Sequence, residues 1–453
     1  MDTGGARAGI LGVMTASLPP PEAFFPVQGG LPMQVVPARA FVPQPKDDPF
    51  YTYSGSTPLE QLAPGTVLAT RDVPYHILGV PTPLKTTQLL YRSTSQTGKP
   101  TANVTSVIQP LHDADTTKIL SYQSAYDSLN RSDQPSYAIN GGLTFGGLVP
   151  TVELAVFGSF LARGFTVIVP DTEGQRADFA AGPEYGMNTL DSIRAAFNAN
   201  EVETAADADV ALLGYSGGAI ASEWAAELAP TYAPDVNARL IGAAIGGVLV
   251  HPAHNLHYVE GTFIWAGVMP MALIGIARAF EVDFTPYLTK RGLDLYRSMA
   301  DASIVHVLGQ RPYWRLKWTD VVIPEYPTPE SLPLFVELAN KLIMGTGGTP
   351  TIPLFIGQGA NGIPEGTPGD KPGIGRGDGV MIAGDVRTLA RQYCARGTVV
   401  YYDQYDLLSH TSAVGVWLMQ AMDWVNDRFA GKPAPNNCSS IAVGNPLDPL
   451  PPP

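Results

Sequence analysis

The sequence predicts an α/β fold with a mostly parallel central sheet, helices on both faces and an inserted helical cap. Three observations lead there. Strand-like and helix-like runs alternate from about residue 61 to about 250, as they do when parallel strands are joined by crossover helices. The apolar run Val210-Ala211-Leu212-Leu213 ends in Gly214-Tyr215-Ser216-Gly217-Gly218 and opens directly onto a helical pattern. From about 251 to 342 the periodicity turns helical and irregular, and a sheet pattern returns after it.

Taken in order, residues 1–60 are Pro-rich and weakly periodic, and they read as an extended arm without catalytic content. Within it, 8–18 is a short apolar run behind Arg7, and Ala38-Arg39-Ala40 resembles a small-x-small cleavage site, but the stretch between them is longer than an ordinary signal's, so a trimmed leader over residues 1–40 is one reading and is left open. Strands are expected at 66–70, 88–93, 104–109, 118–122, 165–170, 210–213 and 240–244, and the clearest helices at 152–163 and 186–199. The helix after the serine is expected over 219–228, ending before Pro230.

The cap is expected over 251–345, where Phe263, Ile264, Trp265, Met269, Met271, Leu273, Ile274 and Ile276 form an apolar patch. Residues 261–277 carry no charge, yet they are short of the roughly 20 residues a membrane span needs and contain Pro270, so a buried or lid-type helix is expected instead. Strands return at 351–356 and 398–402 around a helix at 380–395, and an amphipathic helix at 417–429 follows. The core is thus divided into 61–250 and 346–453.

Composition narrows the function. The net charge of −13 and the lack of any Lys/Arg cluster exclude nucleic acid as a partner. Only 15% of residues are charged, while Gly (47) and Pro (42) are abundant, as in a loop-rich secreted protein. A bridge between the two cysteines, Cys394 and Cys438, would close a long loop and stabilise the fold by about 4 kcal/mol; two buried thiols are the alternative.

Glycines on both sides of Ser216 allow a sharp strand-to-helix turn that exposes its hydroxyl. A serine hydroxyl is a poor nucleophile at neutral pH, so it needs an imidazole to take its proton and a carboxylate to hold that imidazole. With the chain order Ser, acid, His, the seven histidines lose His76 and His112. His251, His254, His257 and His306 fall in the cap, which leaves His410, in a loop after the last strand, as the base. A metal on His251, His254 and His257 is disfavoured, because that spacing does not keep all three on one helical face.

For the acid, Glu365, Asp370, Asp378 and Asp385 follow the strand at 351–356. Asp385 falls inside a helix, and Glu365 and Asp370 lie in the Gly/Pro-rich stretch 359–377, so Asp378, just before the helix and able to cap it, is preferred. An oxyanion hole requires the Gly217 N–H and one amide from the loop Gln123 to Ser128, any of which would serve.

These residues resemble the secretory lipase family, within the α/β-hydrolase superfamily, along most of the chain. The likeness is carried by Asp47-Asp48-Pro49-Phe50-Tyr51, Ser121-Tyr122-Gln123 with Asp127, Asp171-Thr172-Glu173-Gly174, Ala181-Gly182-Pro183-Glu184-Tyr185-Gly186-Met187, Leu190-Asp191-Ser192-Ile193-Arg194-Ala195, Gly214-Tyr215-Ser216-Gly217-Gly218-Ala219 and Ser409-His410. The resemblance implies an α/β-hydrolase fold, the triad Ser216, Asp378 and His410, an oxyanion hole from the amides of Asp127 and Gly217, an acyl-binding tunnel under the cap, and a Cys394–Cys438 bridge. Asp370 stands as the fallback acid, and no C-terminal flap like that of longer fungal relatives is expected behind Cys438.

The expected protein is a secreted, monomeric carboxylic-ester hydrolase of lipase type, acting on medium or long acyl chains without metal or organic cofactor. Its partners are a lipid or ester substrate and, transiently, a lipid interface, with no transmembrane segment. The same residues also suit an acyltransferase or peptidase. A lipid-binding protein without catalysis is the reading from outside enzymology.

Overall fold

The computed structural model describes residues 42–309, 315–369 and 371–453. The expected leader and Asp370 lie outside the described residues. Among those described, nine strands form one sheet in the order β1-β2-β3-β5-β4-β6-β7-β8-β9. They are β1 Val67–Ile77, β2 Val80–Thr94, β3 Pro100–Ile108, β4 Lys118–Gln123, β5 Thr166–Pro170, β6 Asp209–Tyr215, β7 Leu240–Gly246, β8 Leu354–Gly359 and β9 Val400–Tyr405. From β5 to β9 every neighbouring pair is parallel, while β1, β2 and β3 are mutually antiparallel, with β3 antiparallel to β5.

Every expected strand is present, and β1 and β2 are much longer than their apolar centres. The extensions are polar and Pro-containing, and they persist because most of their residues gain a ladder partner across the β1–β2 hairpin. β6 explains why the central strands read as unbroken apolar runs. Val210 and Leu212 join one core cluster while Ala211 and Leu213 join another on the opposite face, so both faces are covered.

The first cluster packs helices α2 (Gly182–Asn198) and α3 (Gly217–Tyr232) on the sheet through Ile193, Ala219 and Trp224. The opposite face carries α1 (Leu154–Leu161), through Phe157 and Phe160, and the C-terminal helix, through Trp417 and Trp424. The segment expected as one helix at 152–163 runs as two, Leu148–Val152 and Leu154–Leu161, meeting at Glu153. α3 also runs past the expected stop, with Pro230 inside its last turn. There the proline forfeits one i→i−4 bond, to the Ala226 carbonyl, and the helix ends two residues later at Tyr232.

Between β7 and β8 the chain is helical: α4 (Pro252–Val259), α5 (Val268–Ala279), α6 (Lys290–Ser298) and α7 (Pro333–Asn340) are its longer elements. They share a separate apolar cluster that includes Leu256, Trp265, Met269, Leu273, Trp318 and Phe335. After β8 come α8 (Ala383–Ala395), β9 and α9 (His410–Phe429). Cys394 on α8 is disulfide-bonded to Cys438. No helix among the described residues is long and apolar enough to cross a membrane.

Candidate active site

Ser216 occupies the turn between β6 and α3 with φ 57° and ψ −121°, a strained conformation for a residue with a Cβ. The turn is over-determined. The Ser216 N–H donates to the Gly246 carbonyl at 2.9 Å, and the Ser216 carbonyl accepts from the amides of Ala219 and Ile220 at 2.9 and 3.1 Å. The motif glycines are required by close backbone approach: a Cβ on Gly214 would lie 2.1 Å from the Gly218 carbonyl oxygen, and one on Gly218 would lie 2.0 Å from that of Gln123.

His410 is the first residue of α9 rather than a loop residue before it, because Ser409 and Ser412 bond each other across the first turn and start the helix seven residues early. Its Nδ1 lies 2.8 Å from Asp378 Oδ2 and its Nε2 lies 2.8 Å from Ser216 Oγ. An ionised carboxylate only accepts, so Nδ1 carries the proton and Nε2 is left to accept from the serine hydroxyl. The ring is almost fully buried, with Tyr215 at 5.1 Å on one side and Trp265 at 5.5 Å, edge-on. Burial works against the charged ring, but the charge and hydrogen bond of Asp378, helped by Glu365 and Asp127, raise its pKa above the usual imidazole value.

Asp378 follows β8 after the Gly/Pro-rich stretch. It does not cap α8, whose first residue is Ala383; instead its Oδ1 accepts from the amides of Val380 (3.1 Å) and Met381 (2.7 Å) in a local turn. Its Oδ2 accepts from Gln358 Nε2 at 2.9 Å as well as from His410. Gln358 was not singled out in the sequence; an isolated amide at a strand end leaves no pattern. The other acids lie elsewhere: Asp385 pairs with His254 at 3.0 Å, and Glu365 binds the Thr411 amide.

The loop after β4 meets the start of α3. Asp127, at φ 32°, places its carboxyl where a Cβ on Gly217 would lie 1.8 Å from Oδ1. Two amides of the loop are already occupied, Ala125 by Glu153 at 3.0 Å and Ser128 by Glu173 at 3.1 Å, so these buried glutamates fix the loop. Burial raises the Asp127 carboxyl to about 7, against the pull of His410 and with repulsion from Glu153. Near neutrality it is therefore about half protonated, which lessens the negative charge beside the serine.

His251, His254 and His257 do not converge on one point. His251 stacks on His254 at 3.8 Å, His254 pairs with Asp385, and His257 Nε2 bonds Glu330 at 2.5 Å. The acids come from Asp385 and Glu330, far along the chain, so no local spacing announces these pairs. Among the described residues no group of three or more His, Cys, Asp or Glu side chains is arranged to hold a metal.

Residues 142–308 match the family model described as "Secretory lipase". A "Probable inactive lipase" of Mycobacterium tuberculosis is 32% identical over 401 residues, covering 86% of this chain and 83% of that protein. "Lipase A" of Arthroderma benhamiae is 31% identical over 444 residues, covering 92% and 87%. Among solved structures, Candida antarctica lipase A in its closed state superposes with a TM-score of 0.75 at 27% identity, covering 91% of this chain and 92% of that one. With relatives at this identity along most of its length, the chain belongs to the secretory lipase family and is a carboxylic-ester hydrolase with the α/β-hydrolase fold.

Proposed function

We propose that the protein is a secreted lipase that cleaves medium- or long-chain acyl esters through an acyl-enzyme on Ser216. The observation that carries this reading is the single imidazole of His410 bridging Ser216 Oγ and Asp378 Oδ2, each at 2.8 Å. His410 takes the serine proton as Oγ attacks the ester carbonyl, then delivers it to the departing alcohol. Asp378 stabilises the imidazolium, and the amides of Gly217 and Asp127 stabilise the oxyanion. Water activated by the same imidazole then releases the fatty acid.

The helices between β7 and β8 act as the cap. A small cavity of about 60 Å³ lies among Leu256, Val259, Met269, Leu273, Phe335 and Val380, and Val380 is two residues from Asp378. Its apolar walls favour alkyl chains, since each buried CH₂ contributes about 0.8 kcal/mol. The disulfide and the family's description support export to an oxidising compartment.

Fluorophosphonate labelling of the folded protein, with Ser216→Ala as control, tests the nucleophile. The expected result is covalent labelling of wild type alone, followed by kcat/KM that rises from acetyl to octanoyl or longer p-nitrophenyl esters. Absence of labelling would favour a silent lipid binder, a reading that the Mycobacterium relative described as a "Probable inactive lipase" keeps in view. Labelling with turnover confined to acetyl esters would leave the nucleophile and remove the lipase.

A further inference from the structure

Glu365 lies in the short turn Ile363–Glu365, inside the Gly/Pro-rich stretch between β8 and Asp378, and it is buried. Its Oε1 accepts from both the amide and the hydroxyl of Thr411, at 2.8 and 2.6 Å. Its Oε2 accepts from the indole Nε1 of Trp265 at 2.8 Å. Thr411 is the residue after His410, and Trp265 belongs to the helical segment between β7 and β8. A Cβ on Gly379, the residue after Asp378, would come within 2.7 Å of Glu365 Oε2 and 3.0 Å of the Trp265 Nε1. One carboxylate therefore touches the neighbours of both His410 and Asp378 and the cap residue whose ring edge faces the imidazole.

We infer that Glu365 is a positioning residue of the reaction: it anchors the first turn of α9, and so the His410 ring, to the closed cap through Trp265. This rests on His410 being the base. The two bonds from Thr411 occupy a free amide of a helix start, where a carboxylate is favoured by the exposed N–H dipoles. The Trp265 bond uses the remaining oxygen, so the helix start and the cap are held by the same planar group. Besides Trp265, His410 is faced by Asp378, Glu365, Asp127 and Tyr215, with Tyr258 beside Asp378.

The test is active-site-titrated kinetics on Glu365→Ala and Glu365→Gln, with His410→Ala as a reference and thermal melting on each. Glu365→Ala is expected to lower kcat roughly tenfold with KM changed less, through a misplaced imidazole. Glu365→Gln keeps an acceptor for Thr411 but turns an NH₂ donor on the Trp265 indole N–H, so it recovers only part of kcat, and the acid limb of kcat/KM moves down by about one pH unit because a negative charge near the imidazole is gone. Wild-type kcat and limb in both variants, or losses of melting temperature alone, would overturn the role. Where Glu365→Ala does not fold, the limb of Glu365→Gln decides. His410→Ala separates the two ideas: if it labels with fluorophosphonate as fast as wild type, the base assignment fails. If it is silent while the Glu365 variants behave as wild type, only the positioning role fails.

Discussion

Asp378 holds His410 twice. Its main-chain carbonyl accepts the His410 N–H at 2.8 Å, and its carboxylate accepts the ring Nδ1–H at the same distance. The backbone bond sets where α9 begins, and the side-chain bond sets which ring nitrogen faces Ser216. Replacing the carboxylate by an amide separates these two roles. Asp378→Asn is expected to keep the fold and the backbone bond while favouring the wrong tautomer, with kcat about 10⁴-fold lower. Steady-state kinetics beside a near-UV CD spectrum checks it, and a loss below tenfold would contradict the assignment.

Gly217 is crowded by a side chain rather than by backbone, since a Cβ there would sit 1.8 Å from Asp127 Oδ1. Gly217→Ala should therefore fold, pushing the Asp127 loop away from the start of α3. The expected cost is about 10²–10³ in kcat, the range for losing an oxyanion donor. Fluorophosphonate labelling should slow in parallel, because phosphonylation uses the same pocket.

The Asp127 carboxyl titrates at about 7, raised by burial. Above that pH it becomes an anion beside a developing oxyanion, so activity should fall on the alkaline side. Asp127→Asn stays neutral, and the ratio of its kcat/KM to that of wild type should climb as pH passes from 6 to 9. A flat ratio would place the carboxyl's influence elsewhere.

Tyr393 donates to Glu223 and, at 2.9 Å, to Glu227, joining α8 to the helix that follows Ser216. Burial raises Glu227 to about 7 and Glu223 well above its ordinary value, the latter further through repulsion from Glu227. Both glutamates bind protons more tightly when folded. The resulting stability is fully present below the unfolded carboxyl value near 4.5 and is lost as pH rises through the folded value near 7. Glu223→Gln preserves an acceptor for Tyr393 without the charge. It should match wild type in denaturant midpoint at pH 4.5 and exceed it at pH 8 by on the order of 1–3 kcal/mol.

The Cys394–Cys438 bridge spans a sequence separation of 44 and ties α8 to the chain after α9. Replacing both cysteines by serine should cost about 4 kcal/mol on the chain-entropy model. Urea unfolding measures it, and kcat at 25 °C should stay near wild type, because neither cysteine touches Ser216, His410 or Asp378.

The parallel part of the sheet was readable because strands buried on both faces leave continuous apolar runs. The hairpin arms of β1 and β2 were not, since Val80, Lys85 and Thr86 take their strand state from a partner across the ladder. The start of α9 was hidden by Val414, Gly415 and Val416, poor helix formers that are held by burial of Ala413 and Trp417. Ser216 announced itself through its glycines, and His410 through chain order. The roles of Glu153 and Gln358 left no pattern, because single polar residues carry no period, and Glu365, weighed only as a triad acid, turned out to bind the Thr411 amide brought from a distant segment.

β7 and β8 are hydrogen-bonded neighbours, with Gly246 paired to Gly357. The whole helical segment therefore leaves and re-enters the sheet at adjacent points, downstream of Ser216 and upstream of Asp378 and His410. A sibling's version spliced between the same two anchors would alter which acyl chains are admitted while the bond-breaking residues keep their places. With Trp265 kept as the donor to Glu365, substrate range becomes a module open to exchange by evolution or by an engineer.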